Sequence, residues 1–537
     1  MNLDGKIQRV DLATGDASVV PFTADVDIGI GPDLDVVQEI ETGPVKARIL
    51  QAMAEAPDGR RYAFSALGEL YVYDRASGET RKLANAGTAA FQPSWSPDGR
   101  SIAYITWDHN GGHVWRIGAS GGAPQQVSRA AGYYINPVFT PDGREIVALR
   151  GSNAAYEGQE TDFGGPPGMD LVRLPAGGGD ARLITHAGGL RRVHFADADD
   201  RVYVYSQGGL ISMRLDGSDK RTHVQVKGKG LFYAEEPVPA DDIRMSPDGR
   251  HVLALVQNQL YLTLAPQFNR DGATVTIGSP SLPVKRLTDA GADYFGWSAE
   301  GDAFFWSAGS TLSRMSLADV SFKDEEKKEE DAGGAEAAES EEDEAEDAEE
   351  ETESVEEWEP ELTEDSDKVS VYEIAVTVPR DAPQGSILLS GAKIVTMNGD
   401  ELIEEGDVLI TGTKIAAVGA KGSLDVPADA RVIDAAGKTI TPGFIDTHAH
   451  WFEIRRGVIE KNHWGFLANV AYGVTAGLDV QTATNDMFAY QDMIDSGRMI
   501  GVRAFSTGPG VFSNNAIASR DEAYGVLKKY RDRYRTR

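Results

Sequence analysis

The chain has 537 residues, no cysteine, 41% hydrophobic residues and a formal net charge of −32. That length holds several domains, and the missing cysteines exclude disulfides and thiolate ligands, so any metal must be held by His, carboxylate or modified Lys. No apolar run approaches a membrane span, and no basic patch interleaved with aromatics speaks for nucleic acid.

Met1 is followed by NLDGKIQRVDLATG, which lacks both the basic start and the apolar core of a signal peptide. GKIQRVDLATGDASVVPF reads as two outer strands with no inner strands before them. Residues 1–35 are therefore expected to be the end of a preceding, truncated blade.

A repeat follows. EAPDGRRYAFSALGELYVYD begins at Glu55, WSPDGRSIAYITW at Trp95, FTPDGREIVALR at Phe139 and MSPDGRHVLALVQNQLYL at Met245. Weaker copies begin at Phe195 (FADADDRVYVYSQGGLISMRL) and Trp297 (WSAEGDAFFWSAGSTLSRMSL). The period averages about 40 to 55 residues. In each clear copy Pro presets φ at the second turn position, Asp favours the third and Gly takes the left-handed conformation. An alternating strand follows, then a second one. That is a blade of four antiparallel strands, and six copies predict a six-bladed β-propeller over 36–380. The [WF]SPDG turns resemble TolB-like (PD-type) propeller repeats. The six histidines of this region, at 109, 113, 186, 194, 223 and 251, show no ligand spacing and read as structural.

Most of the negative charge is local. Between Asp324 and Asp367 lie 25 carboxylates and two lysines. The segment 323–367 is expected to be a disordered, solvated loop. It separates TLSRMSLADVSF from KVSVYEIAVTVPR, which read as neighbouring outer strands of the last blade.

Past Pro383 come short β-rich runs, SILLSGAKIVTMNGDELIEEGDVLITGTKIAAVGAKGSLDVPADARVIDAAGKTITPGFIDTHAH. Helix and strand patterns then alternate: KNHWGFLANVAYG, VTAGLDV, NDMFAYQDMIDSG, VRAFSTGPGV, SRDEAYGVLKKYRDRYRTR. This is the signature of a parallel sheet or barrel. His448 and His450 are two apart on a strand and so face one side. Asp446 shares that side by parity. Asp479 ends the second strand, where it can reach a pocket or cap a helix. His463 reads as a surface histidine. Ser506, Thr507 and Gly508 follow the third strand, where substrate contacts can form.

GAKIVT…GDVLITGTKIAAVG, VIDAAGKTITPGFIDTHAH, YGVTAGLDV and DSGRMIGVRAFSTGPGV occur in an order that resembles a metal-dependent amidohydrolase of the imidazolonepropionase and prolidase-like branch. The resemblance implies a multidomain chain: the all-β propeller, a small composite β-sandwich at 384–445, and at 440–537 the first three strand-helix units of a (β/α) TIM-type barrel. It implies His448 and His450 as ligands of a divalent metal, most often Zn²⁺, with Asp446 orienting His448. It further implies a lysine, two histidines and a general-base aspartate from later strands. No position of this sequence matches them, and a whole barrel usually takes about 250 residues. The chain is thus read as a fragment truncated at both ends, inactive alone, with the catalytic Asp beyond Arg537. An open three-strand edge predicts that 446–537 is its least stable part.

The function so implied is hydrolysis of an amide-type C–N bond in a small-molecule or dipeptide-like substrate by metal-activated water. The full-length protein is expected to be a homo-oligomer, with a protein partner for the propeller possible in principle. By analogy with TolB-like propellers and their amidohydrolase fusions, which are typically exported, a periplasmic or secreted location is expected, with a cytoplasmic one as the alternative. The alternative is a non-catalytic propeller binding module with an incomplete barrel. A serine hydrolase reading is set aside because no G-x-S-x-G elbow is read in the chain.

Overall fold

The computed structural model describes residues 2–3, 6–23, 40–83, 87–158, 168–196, 200–228, 236–266, 272–322, 366–451, 457–482, 484–510 and 520–536. The expected acidic loop lies outside these residues as far as position 365. The chain divides into two compact units, Met1–Glu41 and Thr42–Arg537. The first is a three-stranded antiparallel sheet of Asn2–Leu3, Lys6–Val10 and Ala17–Val19.

The second unit begins with six successive antiparallel sheets, each built from strands in chain order. Their first strands are Gln51–Glu55, Ala89–Trp95, Tyr133–Phe139, Arg191–His194, Asp242–Met245 and Tyr294–Trp297. The fourth sheet gains two extra strands, Val238–Pro239 and Ala273–Thr276, the latter pairing in parallel. In the sixth, Thr311–Ser316 pairs with Ser370–Glu373, so the acidic segment is an insertion between two neighbouring strands.

The repeated turn explains itself in the structure. Asp98 Oδ1 accepts the Ser96 hydroxyl at 2.6 Å and the Arg100 N–H at 3.0 Å. These bonds, the hydroxyl's first, hold the Asp98 carboxyl below the usual carboxylate range. Thr140 and Asp142 repeat the arrangement at 2.6 Å. Gly59, Gly99, Gly143 and Gly249 close the turns at φ of +65°, +65°, +70° and +68°, where a side chain would be strained. The aromatic residue before the turn ties neighbouring sheets. Trp95 donates its indole N–H to the Ala54 carbonyl of the first sheet at 3.0 Å, and Trp297 donates to Arg244 of the fifth at 3.3 Å.

In the first repeat that position is Glu55. Its buried carboxylate accepts from Arg314 of the sixth sheet at 3.1 Å and from the Tyr62 hydroxyl. Tyr62 also meets Phe305 of the sixth sheet edge to face at 5.4 Å between centroids. The sixth sheet thereby packs on the first. Nearby, Val45–Lys46 pairs with Thr377–Val378, which joins the start of this body to its end.

His194 of this region serves packing, whereas His109 and His186 are exposed. His194 accepts the Met245 N–H on Nε2 at 3.1 Å while its Nδ1 faces the Arg192 carbonyl at 3.1 Å, so it is held neutral across two sheets. Burial pushes its pKa down to about 4. One sequence reading needs correction. Gly118-Ala119-Ser120-Gly121-Gly122 does match G-x-S-x-G. It is the turn leaving the strand Val114–Gly118, with the Gly121 N–H donated to the Gly118 carbonyl at 2.8 Å, and no helix follows. A nucleophile elbow needs a strand-to-helix turn.

Beyond these sheets, Ser386–Val395, Leu402–Thr411, Lys414–Ala420, Arg431–Asp434 and Thr439–Ile440 form a single five-stranded mixed sheet. The expected sandwich is here one layer. Ala392, Ile394, Val408 and Ala435 pack together, while Ile415 and Val432 stay 68% and 62% exposed, with no second sheet over them among the described residues.

Two outcomes are expected. Arg314→Ala leaves the Glu55 carboxylate buried without its cation and should cost about 3 kcal/mol in denaturant unfolding. His194 has a folded pKa below its unfolded value, so the unfolded chain takes up the proton first. Stability is lost as pH falls from about 6.5 to about 4 and His194→Gln flattens that limb of an acid titration of unfolding free energy.

Candidate metal centre

Three strands, Phe444–Ala449, Val474–Asp479 and Arg503–Ser506, form a parallel sheet. Helices Trp464–Ala471 and Asp486–Asp495 connect them, and Arg520–Lys528 follows. The strand ends align: Ala449 is in register with Asp479, and Asp479 with Ser506. Ligands in parallel α/β sheets sit at such carboxyl ends.

The opening histidines lie at this edge. Ala449 between them is buried, while His448 and His450 are exposed with ring centroids 5.1 Å apart. Two imidazoles at that separation can share a divalent ion, which suits nitrogen donors. Among the described residues no group of three or more His, Asp or Glu forms a fuller ligand set. Asp446 accepts the backbone N–H of His448 on Oδ1 at 3.1 Å, so it holds the His448 backbone. A register shift between Asp446 and Ala449 breaks the simple alternation on which the parity argument relied.

Asp479 is fully buried, and its Oδ1 accepts the Gln481 N–H at 2.9 Å, which closes the turn after its strand. It does not cap the next helix, whose N-cap is Asn485. Ser506 is buried and takes the Gly508 N–H at 3.0 Å, and Thr507 donates its hydroxyl to the Val480 carbonyl at 2.8 Å. His463 overturns its reading as a surface residue. It is 1% exposed, N-caps Trp464–Ala471 through Nδ1 and the Phe466 N–H, and packs on Phe466 and Tyr490. A histidine ring can replace the usual cap and bury its apolar edge as well.

The feature invisible in the sequence is the seat of this sheet. The helix Asp486–Asp495 is buried from Asp486 to Met493, and Met487, Tyr490 and Met493 share one core with Leu50, Phe64 and Leu67 of the first sheet. Its two buried carboxylates find donors there. Arg48 meets Asp492 through its backbone N–H and its Nε, both at 2.7 Å. Gln51 Nε2 donates to Asp486 Oδ1 at 2.7 Å, with the Tyr294 hydroxyl at 3.4 Å. Desolvation pushes the Asp492 carboxyl up, against the pull of Arg48. At the other end Asp293 of the six-sheet body accepts from Asn485 Nδ2 at 2.6 Å and from the Tyr534 hydroxyl, with Lys529 Nζ at 3.7 Å.

Residues 35–166 match the family model described as PD40, TolB beta propeller domain. An adenine deaminase of Deinococcus deserti is 31% identical over 155 residues, covering 28% of this chain and 26% of that enzyme. An imidazolonepropionase of Geobacillus sp. is 43% identical over 60 residues, 10% of this chain and 14% of the relative. The chain carries a TolB-like propeller domain fused to an amidohydrolase-superfamily segment. It spans only about a quarter or less of these curated relatives' own length. Among solved structures, TolB from Acinetobacter baumannii is similar over 41% of this chain and 55% of that one, at 15% identity and a TM-score of 0.30.

The amidohydrolase segment should therefore not exchange uniformly with solvent. Amides of Asp486–Asp495 are expected to be protected as strongly as the propeller core, while Phe444–Ala449, whose Phe444 and Ile445 are 64% and 68% exposed, exchanges fast. Hydrogen exchange by mass spectrometry reads this directly, and uniform fast exchange across 444–536 would contradict the docked helix.

Proposed function

We propose that this chain is part of a propeller-fused, metal-dependent amidohydrolase that hydrolyses an amide-type C–N bond in a small-molecule or dipeptide-like substrate. The observation that carries the reading is the pair of adjacent imidazoles, His448 and His450, at the carboxyl end of the first of three parallel strands. In this reading the six sheets are the blades of a six-bladed propeller at 36–380. The sheet at 384–445 is the family's small β-domain, and 440–537 begins a TIM-type barrel.

His448 and His450 would hold the divalent ion, with Zn²⁺ the choice that imidazole donors favour. When bound, such an ion supplies Lewis acidity and a water that ionises near neutral pH. The protein's own part is to orient. Asp446 fixes the backbone of His448, and buried Ala449 keeps the strand seated so that both rings face outward. Asp479 is a pocket-edge residue whose bond to Gln481 shapes the loop leaving the second strand. Deaminases and imidazolonepropionase among the relatives are consistent with a C–N bond as the target.

The test is Co²⁺ binding to the full chain, followed by visible absorption. His448→Ala and His450→Ala should each weaken binding by at least about tenfold. Unchanged binding in both variants would remove the metal reading and leave the propeller as a binding module.

A further inference from the structure

We propose that the propeller domain positions the metal-ligating strand, with Gln92 and Gln51 as the positioning residues. This rests on the metal reading of His448 and His450.

Ala52, Gln92, Asn136 and Arg192 occupy the same place in four successive sheets, and all four are left-handed, at φ of +51°, +52°, +51° and +56°. Such a conformation is costly for a residue with a Cβ and persists where surrounding bonds enforce it. Here the bonds form a relay. Gln92 Oε1 accepts the Asn136 N–H at 2.7 Å, and Asn136 Oδ1 accepts the Arg192 N–H at 3.0 Å. The relay orients the Gln92 amide, which leaves Nε2 to donate to the Gly457 carbonyl at 3.0 Å.

Gly457 lies seven residues after His450 in the chain. Its N–H is held too, by Asp486 Oδ2 at 2.8 Å, and Asp486 is itself fixed by Gln51. Both faces of this peptide position are thus set by the propeller, one directly and one through a single carboxylate. The fit is close. Gly457 has φ of +73°, and a Cβ there would lie 2.8 Å from Gln92 Nε2. Glu460 continues the seat by donating its N–H to the Tyr490 hydroxyl at 3.1 Å. On the strand side Trp451, directly after His450, is 4% exposed and lies over Gly477, where a Cβ would come 3.0 Å from its ring. Strand pairing fixes the histidines from one side. Trp451 is packed directly after His450, and the next described residue, Gly457, is held by the propeller.

A ligand pair that must converge on one ion is sensitive to small errors of backbone placement, and outlying partners typically change metal affinity by about tenfold or more. Gln92→Glu separates the roles cleanly. It keeps an acceptor for Asn136 and removes the donor to Gly457. Gln51→Met removes the donor to Asp486 at similar volume. Arg129→Ala, in an exposed ion pair with Asp180, is the control.

The measurement is Co²⁺ titration of the full chain by visible absorption, with thermal unfolding recorded on the same samples. Gln92→Glu and Gln51→Met should each weaken Co²⁺ binding by about tenfold and alter the band shape, while Arg129→Ala changes neither. Wild-type affinity and band shape in both glutamine variants, with or without a lower Tm, would overturn the proposal. Failure of the metal reading looks different: the wild type then binds no Co²⁺, or binds it equally after His448→Ala, and the positioning proposal falls with it. Should a variant not fold, amide exchange in the wild type decides. Slow exchange at Gly457 and Glu460 supports the seat, and fast exchange there overturns it.

Discussion

Asp486 and Asp492 sit on a helix that has almost no face open to water, and a buried carboxylate is tolerable only where donors are supplied. The helix cannot supply them beyond its first turn. They come instead from the start of the propeller, Arg48 and Gln51, and from Tyr294 in the sixth sheet. That requirement sets where the parallel sheet can sit. It also explains why this sheet, with an exposed edge at Phe444 and Ile445, nonetheless has a packed inner layer. The apolar side chains Met487, Tyr490 and Met493 provide the area, and the carboxylates provide the register.

The division of labour in the amidohydrolase segment follows. The outward side of the first strand carries the imidazoles and remains accessible. The helix side is committed to the propeller. Under the proposed function, a substrate approaching His448 and His450 would meet the open side of the sheet, so chemistry and docking would not compete for the same surface.

What could be read from the sequence was whatever is local. The Ser-Pro-Asp-Gly turns announce themselves because each bond in them spans only a few residues, as between Ser96, Asp98 and Arg100. The same holds for His448 and His450, neighbours on one strand. The helix and strand pattern after residue 460 was also legible, since the periodicity changes there. The seat was not, because its bonds are long-range: Gln51 and Asp486 are 435 residues apart in sequence. Nothing local marks Asp486 and Asp492 as buried, although the stretch DMFAYQDM has no clean polar stripe, which is the cue a buried helix gives. His463 was misread for a related reason. A histidine preceding a helix resembles a solvent-facing residue until the tyrosine and phenylalanine that cover it are known.

The seam between the first and sixth sheets differs in kind from the indole-bridged joints. Trp95 and Trp297 reach a neighbour's carbonyl, a target that every repeat offers. Glu55 instead answers one particular guanidinium, that of Arg314. A repeat transplanted into the first position would present an apolar or aromatic group to Arg314 and leave that cation facing no carboxylate. The seam therefore acts as a counting device: identical turns let repeats stack without limit, and one mismatched pair of charges tells the chain which sheet is first and which is last.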